Sequence, residues 1–221
     1  MTHHSVPEQR IISEVSKPST HLERRKAELR QEIIDTAFAC FAEKGYHATG
    51  IADIAARLGI GHGTFYRYFA NKRDIIDHVI DDLAAQIIES LSTDNAPDAA
   101  TSLAEYRNQV ERIGDALFKI FLDDRRVAQL LLFQATGIDA ELTTRLYGLL
   151  DTADALTAAY LEHGVEMGYL RADLDTANTA KAVTGMILVP IVHGLRDPDA
   201  EVGGDMIEAI RRLLIDGVRR D

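Results

Sequence analysis

One cysteine, Cys40, stands in a chain of 221 residues, which excludes an intrachain disulfide and a thiolate zinc finger and fits a reducing compartment. Long hydrophobic runs are missing as well. The longest stretch without a charged side chain, Ala182–Leu195, falls short of the ~18–20 residues that a membrane helix needs. The first residues hold two histidines and several charges where a signal peptide would have an apolar core. These absences predict a soluble, cytoplasmic chain with no membrane partner. No run alternates apolar and polar residues with period 2, so no sheet is expected, and no self-similar period marks a repeat array. Catalytic signatures are absent too. There is no HExxH, no Glu-x-x-His pair, no GxSxG and no P-loop, so neither an enzyme nor a cofactor is expected. His163 and Glu166 share a helical face, and His78 lies near Asp81 and Asp82, but without a third ligand each reads as a surface group, and no metal is expected.

What is present is an ordinary globular composition, with 46% apolar residues and a net charge of −11. The charge is unevenly spread. Residues 1–75 hold 11 basic and 9 acidic side chains, whereas residues 76–221 hold 13 basic and 26 acidic ones. Only the first third is therefore suited to approach a polyanion.

Residues 1–21, with Pro7 and Pro18 and no apolar period, read as a flexible arm. Ile33, Ile34, Ala37, Phe38 and Phe41 then repeat at helical spacing up to Gly45. Ile51, Ile54, Ala55 and Leu58 mark a short second helix, with Thr49 as its expected N-cap and Asp53 in its first turn. Gly59 can take the left-handed conformation that ends it, Ile60 can tuck between helices, and His62–Phe69 forms a very short third segment. Asn71-Lys72-Arg73-Asp74 caps a fourth helix, Lys72–Leu91, whose stripe is Ile75, Ile76, Val79, Ile80, Leu83 and Ile87. Beyond a break at Ser92–Ala100, helices are predicted at 101–122, 125–136, 140–167, 175–195 and 204–220, with Pro190 kinking the fourth of these and Asp197-Pro198 separating the last two. The expected fold is all-α: residues 22–71 form a three-helix helix-turn-helix unit, and residues 72–221 a larger C-terminal helical bundle.

Two short helices joined by a Gly-containing turn are the pattern in which the second helix enters the major groove of duplex DNA. Phe65 and Phe69, four apart, face the core, leaving His62, Gly63, Thr64, Tyr66, Arg67 and Tyr68 on or near the outer face, with Lys72 adding a point charge. Tyr68 reads equally as a core ring, and Arg67 also as a solvated charge.

The string Gly45-Tyr46-His47-Ala48-Thr49, then Ile54-Ala55, then Gly59 through Phe69 and Lys72, resembles the DNA-binding signature of tetracycline-repressor-type (TetR family) regulators. The resemblance covers about 50 residues, from Arg24 to Ile76. It implies a homodimer, a palindromic double-stranded DNA operator, and a C-terminal domain that binds a small-molecule effector and dimerises. Carried onto this chain, it implies that Thr49, Thr64, Tyr66, Tyr68 and Lys72 contact phosphates, and that His62, Gly63 and Arg67 discriminate bases. Two positions depart from the family pattern. Gly50 stands where Ser or Thr is common, and Gly61 where Ser often caps the recognition helix, so neither offers a side-chain oxygen.

Apolar stripes over Tyr106–Phe121, Val127–Phe133 and Leu142–Tyr160 read as core or as the walls of a ligand pocket. The candidate pocket residues are Tyr106, Phe121, Phe133, Gln134, Leu146, Leu150 and Tyr160, with Gln134 and Tyr160 as polar anchors for an apolar or amphipathic effector of unknown identity. Val183, Ile187, Ile191, Ile207, Ile210 and Leu214 suit a four-helix dimer interface or an intrachain core. The expected function is a ligand-responsive repressor. The alternative is an adaptor that binds DNA and engages another protein through its C-terminal domain.

Overall fold

The computed structural model describes residues 21–92, 95–196 and 204–220. The flexible arm expected over residues 1–21, apart from its last residue, and the Asp197-Pro198 junction lie outside the described residues. Among the described residues nine α-helices follow in order: α1 His21–Lys44, α2 Ile51–Leu58, α3 His62–Phe65, α4 Lys72–Ser92, α5 Leu103–Asp123, α6 Arg125–Gln129, α7 Ala140–Glu166, α8 Thr176–Arg196 and α9 Gly204–Val218. Among the described residues there is no strand, only an isolated bridge between Leu170 and Arg219.

Helix ends follow local chemistry. Gly59, at φ +73°, places its own N–H on Ala56 O and the next N–H on Ala55 O, which closes α2 where a side chain would be strained. Asn71 Oδ1 accepts from Asp74 N at 2.9 Å, and Asp74 reaches back to Ala70 N at 2.7 Å, so both donors at the start of α4 are satisfied. Ser102 caps α5 and Asp139 caps α7. α8 runs through Pro190 as one helix.

One expectation fails here. The helix predicted over 125–136 stops being α-helical at Gln129, continues as a π turn over Leu130–Gln134, and ends as a 3-10 turn over Ala135–Gly137. Ala135 N bonds Leu130 O, five residues back. The wider turn changes the angular step, so residues beyond Leu130 leave the face that a 3.6-residue period assigns them.

The larger core joins α1, α2, α3 and α4 through Ile33, Phe41, Ile54, Phe65, Phe69 and Ile76, and continues into Val127, Leu130, Leu142 and Leu146. A second cluster gathers Tyr106, Leu161, Leu170, Ala180, Ile215 and Val218. Apolar packing thus crosses residue 71, with α4 shared between the front helices and the bundle. At the end of α7, Gly164 lies so close to the returning chain that a Cβ would sit 2.5 Å from Leu170.

Charges reinforce the α4–α7 contact. Arg73 pairs with Asp77 and with Asp139, and Arg145 pairs with Asp77 at 3.0 Å and with Asp81. The Arg73 guanidinium, helped by the Leu142 N–H, holds the Asp139 carboxyl below its usual range. A depressed carboxylate stabilises the fold above its unfolded pKa of about 3.9, and that contribution fades as pH falls through the lower folded value. Acid unfolding should therefore be preceded by loosening of α4 against α7. In Asp139→Asn, thermal melts across pH 2–5 should lose this part of the acid dependence, and an unchanged acid limb would remove Asp139 from the contact.

Candidate nucleic-acid interface and internal cavity

α2 is fixed to α1 before any ligand is considered. Arg57 makes two bonds to Glu43, at 2.6 and 2.9 Å, and Lys44 meets Asp53 at 3.0 Å. Asp53 also accepts from Gly50 N at 2.8 Å, so Gly50 and not Thr49 is the N-cap of α2. This corrects the expected cap. Thr49 is 1% exposed, and its hydroxyl faces the carbonyls of Gly45 at 2.9 Å and Cys40 at 3.1 Å. Its side chain bolts the α1–α2 turn and is turned away from any phosphate. Thr49→Val should cost about 1–3 kcal/mol, because buried carbonyls lose their donor. DNA affinity of the folded fraction should stay unchanged; a loss of affinity without a loss of stability would restore Thr49 as a contact.

α3 is a single α-helical turn capped by Gly61 without a side-chain bond. Phe65 and Phe69 are buried, with ring centroids 5.8 Å apart, and the half-buried Ile60 and Tyr68 pack against the same core. His62, Gly63, Tyr66 and Arg67 are exposed, and Thr64 is half-buried beside them. Among the described residues Arg67 makes no ion pair. Lys72 Nζ donates to Tyr46 O at 2.8 Å and lies 4.2 Å from the Tyr46 ring centroid. It ties the start of α4 to the α1–α2 turn and retains two further donors. Arg24 and Arg25 are exposed in the first turn of α1.

A cavity of about 570 Å³ lies inside the bundle, walled by α4, α5, the π turn, α7, α8 and α9. Its volume is within the ~300–1,000 Å³ range of small-molecule sites. Of the candidate pocket residues, Tyr106, Phe121, Leu146, Leu150 and Tyr160 line it. Phe133 and Gln134 do not. Phe133 is 58% exposed and Gln134 lies outside the wall, a direct consequence of the π turn. Nor is Tyr160 a free anchor, since its hydroxyl donates to Asn95 O. α4 supplies Ile80, Ala84, Ile87 and Ile88, none of them among the candidate pocket residues: Ile80 and Ile87 belong to the stripe that reads as buried core, and Ala84 and Ile88 lie off it.

The six residues expected at a dimer interface, Val183, Ile187, Ile191, Ile207, Ile210 and Leu214, all line this cavity instead. α8 and α9 also present outer stripes of small and apolar residues interrupted by polar ones. Their outer stripes carry Gly185, Val189 and His193 on α8, and Ala209, Leu213 and Gly217 on α9, with Val189 51% and Leu213 66% exposed. Helical spacing alone could not say which stripe turns inward.

Among the described residues no group of three His, Cys, Asp or Glu side chains is placed to hold a metal ion. No described helix is long and apolar enough to cross a membrane. His163 lies 2.8 Å from Ala100 O, a tie between α7 and the chain before α5.

Residues 33–79, the segment from the buried face of α1 to the first turns of α4, match the bacterial regulatory proteins of the tetR family. Over these residues the chain is similar to the tetR family. The fatty acid metabolism regulator protein of Bacillus subtilis is 25% identical over 164 residues, covering 74% of this chain and 82% of that one. The HTH-type transcriptional repressor Rv3405c of Mycobacterium tuberculosis is 32% identical over 120 residues, 52% of this chain and 60% of the relative. Among solved structures, the transcriptional regulator FadR of Bacillus subtilis in complex with stearoyl-CoA superposes with a TM-score of 0.73 at 22% identity, covering 86% of this chain and 99% of that one. The matched segment is the one that carries the exposed α3 face. Most of the cavity wall lies beyond it, in helices where the likeness to the solved structure is one of fold at 22% identity.

Proposed function

We propose that this chain is a ligand-responsive transcriptional repressor that binds a palindromic operator as a homodimer and is released by an apolar or amphipathic small molecule. Residues 22–71 would hold the DNA and residues 72–221 the effector and the partner subunit. The observation that carries this reading is the position of α4. The helix starts at Lys72, beside the α3 face, and two turns later Ile80, Ala84, Ile87 and Ile88 enter the cavity wall. An effector that fits one setting of α4 better than another would shift the population of recognition-helix spacings away from one DNA turn, roughly 34–36 Å. His62, Gly63, Thr64, Tyr66, Arg67 and Lys72 are the proposed DNA contacts, with Tyr68 supporting them from the core side. Relatives named as repressors and regulators, one of them solved with stearoyl-CoA, support this class of function and of ligand.

The outer stripes of α8 and α9 are the proposed dimer surface. Leu213→Arg should convert a dimer into a monomer in sedimentation, with helicity retained, and weaken operator binding; a dimer that survives Leu213→Arg would move the interface elsewhere. The function as a whole is tested by operator selection from random duplex DNA. Enrichment of a two-fold symmetric site is expected, and binding no better than to random sequence would end the proposal. A protein-binding adaptor would leave a 570 Å³ apolar cavity without an occupant.

A further inference from the structure

Arg211 is the single charged side chain among the described residues that line the cavity. It enters from α9, and its Nη2 end pairs with Asp115 of α5, a carboxylate that is 71% exposed. Its Nε is buried and has no hydrogen-bond partner among the described residues. The pair is therefore lopsided. Water screens the exposed carboxylate, while the guanidinium presents an unused donor beside an otherwise uncharged wall. A planar guanidinium matches a carboxylate or phosphate through two parallel donors, and its charge acts more strongly where water is excluded.

We propose that Arg211 reads a negative charge on the effector, so that the cavity takes an anionic amphiphile whose tail lies along the apolar wall and whose head meets the guanidinium. The inference rests on the reading of the cavity as the effector site and narrows it to one ligand class. The head can be the carboxylate of a free acid or a phosphate group of a thioester carrier, both of which offer anionic oxygens. Asp115 would be displaced from Arg211 by the head, making the two carboxylates competitors.

The test uses the full chain and four probes with one tail length: laurate, 1-dodecanol, dodecyltrimethylammonium and lauroyl-CoA, each titrated by calorimetry. Laurate or lauroyl-CoA should bind about 10- to 100-fold more tightly than dodecanol, the span of a charge-assisted contact, and the cation most weakly. Whichever anion holds the advantage identifies the source of the head group. Arg211→Gln should bring the anion down to the affinity of dodecanol and leave dodecanol itself unchanged, while Arg211→Lys keeps part of the preference. Asp115→Asn should tighten the anion by removing its competitor, an effect that a purely structural ion pair would not produce. Equal affinities for laurate, lauroyl-CoA and dodecanol, or equal losses for charged and neutral probes in Arg211→Gln, would overturn the role of Arg211 and leave the effector cavity standing. If none of the four probes binds, the amphiphile reading of the cavity falls with it, whatever operator selection shows.

Discussion

Arg67→Ala should remove sequence discrimination while leaving random DNA binding largely intact. Arg67 is exposed beside Tyr66, just past the single turn of α3, and among the described residues no carboxylate neutralises it. Arg57, on the neighbouring helix, shows the contrast. Its guanidinium is occupied by two bonds to Glu43, so Arg57→Ala should act through the α1–α2 contact rather than through DNA. A bidentate contact to a base edge discriminates by about 1–3 kcal/mol, and a symmetric dimer loses two, giving about 2–6 kcal/mol, or roughly 30- to 10⁴-fold, against the selected operator. Lys72→Ala should behave differently. It weakens every sequence alike and flattens the log–log salt dependence by about 2 per dimer, since each phosphate contact contributes about 0.9. Because Lys72 also donates to Tyr46 O, the same variant should lower stability slightly. Anisotropy titrations on operator and random duplexes over a range of salt concentrations separate the two. If both variants lose specific and random DNA in the same proportion, the division of roles between Arg67 and Lys72 is wrong.

The largest loss of stability is expected from Phe65→Ala. The ring is 0% exposed and lies 5.7 Å from Tyr66 and 5.8 Å from Phe69, centroid to centroid, in the core shared by α1, α2 and α4. Truncating a buried phenylalanine costs about 3–5 kcal/mol through lost transfer energy and the cavity left behind. A helix of one turn has no stability of its own, so α3 depends on this ring for its place. The variant should therefore lose operator binding before it loses its overall helicity. Phe65→Leu, which refills part of the volume, should recover most of the denaturant midpoint. A midpoint shift below about 1 kcal/mol for Phe65→Ala would mean that α3 is positioned by something other than this core.

The helices themselves were legible from local pattern. The apolar period located α1, α4, α5, α7, α8 and α9 to within a few residues, and the Asn71–Asp74 cap and the Gly59 turn followed from residue chemistry alone. The outer face of α3 was legible for the same reason. Phe65 and Phe69 are four apart on one short segment, so burying them turns His62, Tyr66 and Arg67 outward. These features depend on residues within about one or two turns of each other, and such interactions are written in the spacing.

Tertiary structure decided what spacing cannot encode. Thr49 carries the chemistry of an N-cap, but where α2 begins depends on Asp53 reaching Gly50 N, and the hydroxyl turns inward to α1. Phe133 and Gln134 left the cavity because one π turn shifted their phase. Val183, Ile187, Ile191, Ile207, Ile210 and Leu214 suit a subunit interface or an intrachain core equally well by spacing, and only the packing of α8 and α9 against neighbouring helices turns them to the cavity. Arg211 shows the limit most plainly. It meets Asp115 from 96 residues away, and nothing within a turn of either residue marks the pair. A helix is specified by neighbours in the chain, whereas the face it buries, and therefore the site it builds, is specified by neighbours in space.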